Sequence, residues 1–297
     1  MAPFFLLDDF VRYLQIEKRY SDHTVLAYQQ DVAQFIEFGE FKRSEEIKEV
    51  NAMLIRSWMV HLIDKAIGNR SVNRKLSSLR TFFKWLKKEN IVQTNPMTKV
   101  NGPKNSKRLP HFAKESELKK EHVDPVFTND FDGTRDRLMF EVLYQTGIRL
   151  SELIGLKEVD VTTETIKVLG KRNKERLIPI TRELHTLIGE YRKFKYSMNL
   201  ESPYLFVLNN GNKLYPKFVY RKINNYLGKV TSLDKCSPHV LRHTFATHML
   251  NNGAGLETLK DILGHANLSA TQVYTHNSFA KLTNIYSQAH PRGRKNN

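Results

Sequence analysis

The sequence predicts a mainly α-helical protein with a small β-sheet, in which an N-terminal helical bundle precedes a mixed α+β domain. Two observations carry this prediction. Early in the chain, apolar residues recur at helical intervals between short polar connections, which is typical of a small bundle. Further along, helical segments alternate with short runs in which apolar and polar residues alternate, and such runs favour strands. A length of 297 residues suits about two domains.

The first domain is expected over residues 1–94 and should contain four helices. Each has an apolar face at helical spacing, and two of them follow a serine that is a candidate N-cap. The predicted helices are residues 5–18, a segment that begins after Ser21, residues 50–66, and residues 72–89 after Ser71.

Residues 95–113 separate the two predicted domains. This segment, NPMTKVNGPKNSKRLPHFA, combines prolines, a Gly-Pro pair and a basic polar run. Such a composition is typical of a linker, so we predict a basic interdomain linker here.

The second domain is expected over residues 114–297 and should mix helices with strands. Gly147 is expected to end its first helix, and the polar run KRNKE is expected to form the turn of a β-hairpin. The predicted elements are a helix over Asp136–Tyr144, a helix from Ser151 to Leu156, a hairpin over 165–180, a strand over 204–208 with a turn at 209–211, and helices after Pro238.

The net charge of the chain indicates which kinds of partner it binds. Forty-seven lysines and arginines against 31 aspartates and glutamates give a formal net charge of +16. Such a surface favours nucleic acid or an anionic membrane, although a basic surface without a partner is the alternative. No apolar run reaches the ~18 residues of a membrane helix, and no amphipathic basic helix flanked by lipid signals is visible, so we expect no membrane partner. The start MAPFFLLDDF lacks the basic region of a signal peptide, and one cysteine allows no internal disulfide, so we expect a cytoplasmic protein.

A stretch in which almost all charged residues are positive runs from the fourth predicted helix into the linker. Between Arg70 and Arg108 it holds eleven basic residues and a single acidic one, Glu89. A solvated helix face normally mixes both signs, so this stretch predicts contacts with phosphates; a solvated helix with a basic linker is the alternative. The candidate nucleic-acid contacts are Arg70, Arg74, Lys75, Arg80, Lys84, Lys107 and Arg108.

The second domain holds side chains that suit phosphodiester chemistry without a metal. That chemistry needs arginines for the phosphate oxygens, a tyrosine as covalent nucleophile, and a general acid for the leaving oxygen. Taken singly, each candidate has an ordinary explanation as a surface histidine, a core tyrosine or an ion-paired cation. The candidates in chain order are Arg149, Lys171, His239, Arg242, His265 and Tyr274.

A zinc site at His239 and His243 is the competing interpretation of this region. The metalloprotease pattern HExxH requires a glutamate where Val240 stands, and no cysteine or acidic third ligand is near. We therefore expect no metal and no cofactor, and we interpret His243 and His248 as structural.

Together, these residues and their contexts resemble the tyrosine recombinase (phage integrase) family, and within it the Xer subfamily. The matching strings span essentially the whole chain. The resemblance implies a SAM-like core-binding fold for the first domain and a tyrosine recombinase catalytic fold for the second. The strings are SDHTVLAYQQDV, SVNRKLSSLRTFFKWL, TGIRLSEL, GKRNKERLIPI, SPHVLRHTFATHMLNNG, LGHANLSATQVYTH and the terminal HPR.

The resemblance also implies a role for each candidate. Tyr274 would attack the scissile phosphate to give a 3′-phosphotyrosine and a free 5′-hydroxyl. Arg149 and Arg242 would clamp the non-bridging oxygens. Lys171 would protonate the leaving 5′-oxygen, with Lys174 in the same turn as a rival.

Three further residues would support this centre in the same resemblance. His239 would assist proton transfer at the tyrosine, and His265 would bond the phosphate. Glu152 would orient His239 or Arg149.

The implied partner is double-stranded DNA at a dif-like recombination site, with strand exchange through a Holliday junction and resolution of chromosome dimers. The implied assembly is a tetramer, formed by this chain alone or with a sister recombinase, and a DNA translocase of the FtsK type is a further candidate partner. Residues 277–290, with Phe279, Leu282 and Ile285, predict an amphipathic helix that docks on a neighbouring protomer. Docking on its own domain is the alternative.

Three other functions stay open at this point. The chain would suit an integrase or transposase of a mobile element, although it lacks an arm-binding N-terminal extension. A type IB topoisomerase shares the tyrosine chemistry and would relax supercoils without a specific site. A non-catalytic DNA-binding protein would not need the six candidate residues together.

Overall fold

The computed structural model describes residues 5–105, 111–170, 175–264 and 276–293. The chain separates into two compact units, Met1–Arg108 and Leu109–Asn297, and each has its own hydrophobic core. The first is called the N-terminal unit, and the second is called the catalytic unit after the role that the resemblance implies for it. The first is helical, and the second is mostly helical with one two-stranded sheet, so the predicted fold class is confirmed.

The N-terminal unit is a bundle of four helices, α1 (Phe5–Ile16), α2 (Asp22–Phe38), α3 (Ala52–Asp64) and α4 (Asn69–Lys88). Helix α2 packs on α1 and α4, and α3 packs on α4. Helix α4 contributes buried Val72, Leu76, Leu79, Phe83 and Leu86, whose spacing puts them on one face.

The two predicted serine caps do not act as caps. Ser21 does precede α2, but its hydroxyl pairs with the Thr24 hydroxyl at 2.9 Å and caps no backbone N–H. Ser71 lies inside the first turn of α4, because that helix begins after Gly68. Asn51, which precedes α3, does cap its helix by accepting from the N–H groups of the second and third helical residues.

The predicted linker is too long at both ends. Pro96–Lys99 forms a 3₁₀ turn whose Met97 is buried in the core of the N-terminal unit, as is Val100. Arg80 donates to the Val100 carbonyl at 3.1 Å and anchors this turn to α4. At the other end, Ala113 is fully buried in the core of the catalytic unit. Residues 106–110 lie outside the described residues.

The helices of the catalytic unit are α5 (Lys120–Val123), α6 (Phe131–Thr146), α7 (Leu150–Gly155), α8 (Arg182–Ser197), α9 (Pro216–Val230), α10 (Pro238–Asn251), α11 (Leu256–Leu263) and α12 (His276–Ala289). Helix α6 is the central element, because nearly all of its side chains are buried. Helices α8, α9 and α10 pack around it.

The predicted hairpin is present. Strand β1 (Thr165–Leu169) pairs antiparallel with β2 (Glu175–Pro179), with Val168 opposite Arg176. Its turn, residues 171–174, lies outside the described residues.

Gly147 ends α6, as predicted, in the left-handed conformation with φ of 61°. A Cβ at Gly147 would stand 2.4 Å from the Phe245 ring, so glycine is required both by the backbone and by the close approach of α10. The next helix, α7, begins at Leu150 rather than at Ser151, and Arg149 is its N-cap residue. The turn therefore places Arg149 between two helix ends.

One prediction for this unit is wrong, because residues 204–208 form no strand. Their β-pairing consists of isolated bridges from Tyr204 to Lys157 and from Val207 to Lys213.

On the C-terminal helix, Leu282 and Tyr286 are buried in the core of the same unit, in agreement with docking on its own domain. Docking on a neighbouring protomer stays a prediction.

Within the described ranges, no helix is both long and apolar enough to cross a membrane.

Candidate active site

Arg242 is a buried arginine on the second turn of α10. Ser237 caps this helix by accepting from the Val240 N–H, and Pro238 occupies its first position. The Arg242 guanidinium donates to the carbonyl of Gly147 and, at 2.7 Å, to that of Leu263. Its side chain therefore joins the end of α6 to the end of α11.

Arg149 reaches the same place from the start of α7. Its guanidinium donates to Glu152 Oε1 at 2.8 Å and to the Gly264 carbonyl at 3.2 Å. Its backbone N–H donates to Glu152 Oε2 at 2.8 Å, so one carboxylate fixes both the helix start and the side chain. Since the Arg149 side chain is 31% exposed, it is open to a ligand.

A third arginine, Arg176 on β2, completes this cluster, and the sequence analysis missed it. Its guanidinium makes a two-point contact with Glu152, at 3.0 and 2.8 Å. Its Nε donates to the Ile262 carbonyl at 2.7 Å. The sequence did contain a sign that Arg176 is buried. It lies two residues before buried Ile178, so the alternation of a strand puts both side chains on the same face, where Arg176 lies opposite Val168.

We call Arg149, Glu152, Arg176 and Arg242 the arginine cluster. Burial lowers the pKa of Arg242 to about 10, and the charges of Arg149 and Arg176 act in the same direction. Burial alone would raise the pKa of Glu152, but hydrogen bonds and charge from Arg176, with those from Arg149, hold it below its usual range. Three cations and one carboxylate leave a net positive centre that suits one anionic group.

His239 lies one turn before Arg242 on α10, as its spacing predicted. It is exposed, and its ring contacts that of His243 edge to face with centroids 4.2 Å apart. Burial lowers the pKa of His243, and the neighbouring His239 and Arg242 lower it further. His243 is therefore neutral near pH 7.

Lys171, His265 and Tyr274, together with the rival Lys174, lie outside the described residues. The structure does describe where the chain enters and leaves the stretch that holds two of them. Gly264 ends α11 in the left-handed conformation with φ of 63°, and α12 begins at His276. The last three carbonyls before this stretch accept hydrogen bonds from the three arginines of the arginine cluster.

The candidate DNA contacts of the N-terminal unit differ in exposure. Arg70, Arg80 and Lys84 are exposed on α4, although Arg80 also bonds the Val100 carbonyl. Lys75 is buried and donates to Asp31 at 3.0 Å.

Arg74 also binds Asp31, through both of its terminal nitrogens, but its side chain is half exposed. Lys107 and Arg108 lie outside the described residues. The charge of Lys75 thus serves the bundle itself, and we leave that residue out of the proposed interface.

The arginine cluster is suited to binding a phosphate group. Contacts with described residues use two of the five N–H donors of Arg242. Arginine forks bind the oxygens of a phosphate group bidentately, so Arg149 and Arg242 side by side suit a phosphodiester. Among the described residues, no group of three His, Cys, Asp or Glu side chains is placed to hold a metal ion.

Comparison with known proteins agrees with this class. A sequence profile of the phage integrase family matches residues 116–281, and one of the phage integrase N-terminal SAM-like domain matches residues 7–90. The tyrosine recombinase XerC of Anoxybacillus flavithermus is 37% identical, with 97% of this chain and 98% of that protein covered. XerC of Bacillus subtilis is 36% identical, with 97% of each covered.

A solved structure shares the fold. The XerH site-specific recombinase bound to palindromic difH substrate, in a post-cleavage complex, has a TM-score of 0.72 at 22% identity, with 95% of this chain and 83% of that chain covered. The chain therefore belongs to the phage integrase family. Within that family it is a tyrosine recombinase, an enzyme that breaks and rejoins DNA.

Proposed function

We propose that this protein is a site-specific recombinase that cleaves and rejoins DNA through a 3′-phosphotyrosine at Tyr274. One observation carries the proposal. Arg149 and Arg242 come from different helices, yet both donate to the end of α11, at the Gly264 and Leu263 carbonyls. Two arginines thus converge next to the stretch that holds the tyrosine.

The proposed reaction is a balanced transesterification. The Tyr274 oxygen attacks the scissile phosphorus, its proton passes toward His239, and a tyrosyl–phosphate bond forms. The bond from phosphorus to the 5′-oxygen breaks, and that oxygen takes a proton from Lys171. One phosphodiester replaces another, so the bond energy is kept for rejoining and no nucleotide cofactor is consumed.

The cations would stabilise the transition state rather than react. Negative charge spreads over the non-bridging oxygens as the tyrosine attacks, and preorganised donors lower its energy. Arg149 and Arg242 would supply these donors, His265 would add a further hydrogen bond, and Glu152 would hold Arg149 in place.

The exposed cations of α4 would bind the DNA backbone. Arg70, Arg74, Arg80 and Lys84 carry the positive charge, and Lys107 with Arg108 would extend it along the connection between the units. These contacts would give affinity and register, because phosphate contacts carry no sequence information.

The relatives motivate a finer proposal for the biological role. The XerC relatives and the DNA-bound XerH recombinase support double-stranded DNA as substrate. A lambda integrase tetramer bound to a Holliday junction, whose fold this chain shares with a TM-score of 0.66 at 17% identity, supports assembly of several protomers on DNA. We propose exchange at a dif-like site through a Holliday junction, by a tetramer of this chain or with a sister recombinase. Resolution of chromosome dimers in the cytoplasm, with activation by an FtsK-type translocase, would be its cellular role.

A trapping experiment tests the proposed function. The probe is a duplex selected from a randomised library by repeated binding to the protein. It is labelled at the 5′ end of the cleaved strand and nicked just beyond the scissile phosphate. The released 5′-hydroxyl fragment diffuses away, so rejoining stops and a covalent adduct accumulates.

The wild type should give a labelled adduct that survives denaturation, and Tyr274→Phe should give none while binding the same duplex. Tyr286→Phe is the matched control, since Tyr286 is a buried core residue of α12. An equally abundant adduct from Tyr274→Phe would contradict the proposal.

A further inference from the structure

Arg176 occupies a junction between three segments of the catalytic unit. It belongs to β2, it binds Glu152 on α7 with two nitrogens, and its Nε holds the Ile262 carbonyl on α11. These segments lead to Lys171 in the hairpin turn, to Arg149 through Glu152, and to His265 after α11. A single side chain therefore links the three segments that adjoin these proposed catalytic residues in the chain.

Arg176 is unsuited to touching the substrate itself. Its side chain is 6% exposed, against 31% for Arg149. Three of its donors are already used, and two of them close a bidentate pair with a carboxylate that is 4% exposed. Its influence on the reaction would therefore pass through Glu152 and Arg149.

The end of α11 is shaped around this guanidinium. A Cβ at Gly264 would stand 3.1 Å from Arg176 Nη1 and 3.3 Å from Cζ, which is closer than ordinary packing. Gly264 also adopts φ of 63°, which favours glycine. The carbonyl of Gly264 also accepts a hydrogen bond from Arg149. Arg176 and Arg149 are therefore linked twice, through Glu152 and through Gly264.

We propose that Arg176 is a positioning residue of the phosphate clamp, which orients Arg149 through Glu152 and fixes the last turn of α11. This inference rests on the proposed function. Without Arg176, Glu152 would keep only Arg149 as a partner, and the Ile262 carbonyl would lose its donor. Arg149 would then be drawn toward Glu152 and away from the scissile phosphate.

The test measures single-turnover strand cleavage on two versions of the selected duplex. One has the natural phosphodiester at the cleavage site, and the other has a methylphosphonate, in which a methyl group replaces an anionic oxygen. The neutral group needs less stabilisation by the arginines. Arg176→Met should slow cleavage of the phosphodiester by about 10–100-fold, since a misplaced clamp has a cost of that order. On the methylphosphonate the loss should shrink to about threefold or less, because less negative charge develops there.

Two further variants make the test specific. Arg192→Met removes another guanidinium that binds a glutamate, with Arg192 Nε donating to Glu158 Oε2 at 2.8 Å, and it should leave both cleavage rates unchanged. Arg176→Lys keeps the charge but not the bidentate contact, and it carries the test if Arg176→Met does not fold. It should show the same difference between the two substrates, to a smaller extent.

Equal losses on both substrates, or no loss on either, would overturn the positioning role. A merely structural defect lowers the fraction of active protein and slows both reactions alike. A wild type that forms no Tyr274-dependent adduct would instead overturn the proposed function, so the two failures are distinguishable.

Discussion

Replacing Arg292 with methionine should destabilise the catalytic unit by about 3–5 kcal/mol, because it removes one partner of a buried ion pair. Arg292 donates to Glu141 on α6 through Nη2 at 2.9 Å and through Nε at 3.2 Å. The two side chains are 8% and 5% exposed. Beside them, His290 donates to the Tyr144 carbonyl at 3.2 Å.

The magnitude follows from what the carboxylate would keep. Glu141 would retain one hydrogen bond, from Gln145 at 2.8 Å, while still buried. Burial raises the pKa of Glu141, and at present Arg292 holds it below its usual value. The double variant Arg292→Met/Glu141→Met should regain part of the loss, because it buries no unpaired charge.

Urea unfolding followed by two probes measures this effect. Both tryptophans, Trp58 and Trp85, belong to the N-terminal unit, so their fluorescence reports that unit alone. Circular dichroism reports the helices of both units. With a slope of roughly 2 kcal/mol per molar urea, the catalytic transition should move down by about 1.5–2.5 M. An unmoved catalytic transition would refute the reasoning, and an equal shift in fluorescence would show that the effect is not local.

Two other predictions concern pH and salt. His290 should lower the free energy of unfolding of the catalytic unit by about 1.4 kcal/mol per pH unit as the pH falls from about 6.5 to about 3. Burial lowers the pKa of His290 to about 3, so in that range only the unfolded state takes up the proton. Urea titrations of His290→Asn should show a shallower slope, and an unchanged slope would exclude His290. Neutralising Arg70 and Lys84 should reduce the dependence of log affinity on log salt by about 1.8, whereas Lys75→Met should leave it unchanged. Equal slopes for all these variants would remove α4 from the DNA interface.

Local patterns were enough to predict much of the fold. The helices of the N-terminal unit were predictable because their apolar residues repeat with the period of a helix. The hairpin was predictable because alternation surrounds a polar turn, and Gly147 marked the end of α6. The spacing of His239 and Arg242 placed both on one turn of α10.

The rest depended on partners that spacing does not reveal. Lys75 belongs to a basic run, but its burial is decided by Asp31 on another helix. Residues 204–208 have strand composition, yet their β-pairing is limited to an isolated bridge at Tyr204 and another at Val207. The pairing of Arg176 with Glu152 joins a strand to a distant helix, so only the folded chain brings it about.

The measurement that tests the central claim most directly is the identity of the residue bound to DNA. The trapped adduct is digested with nuclease and protease, and the peptide that carries the residual nucleotide is sequenced by mass spectrometry. The account predicts a phosphate linked to the oxygen of Tyr274, on the 3′ end of the cleaved strand. A link to any other residue, or to the 5′ end of the strand, would contradict it.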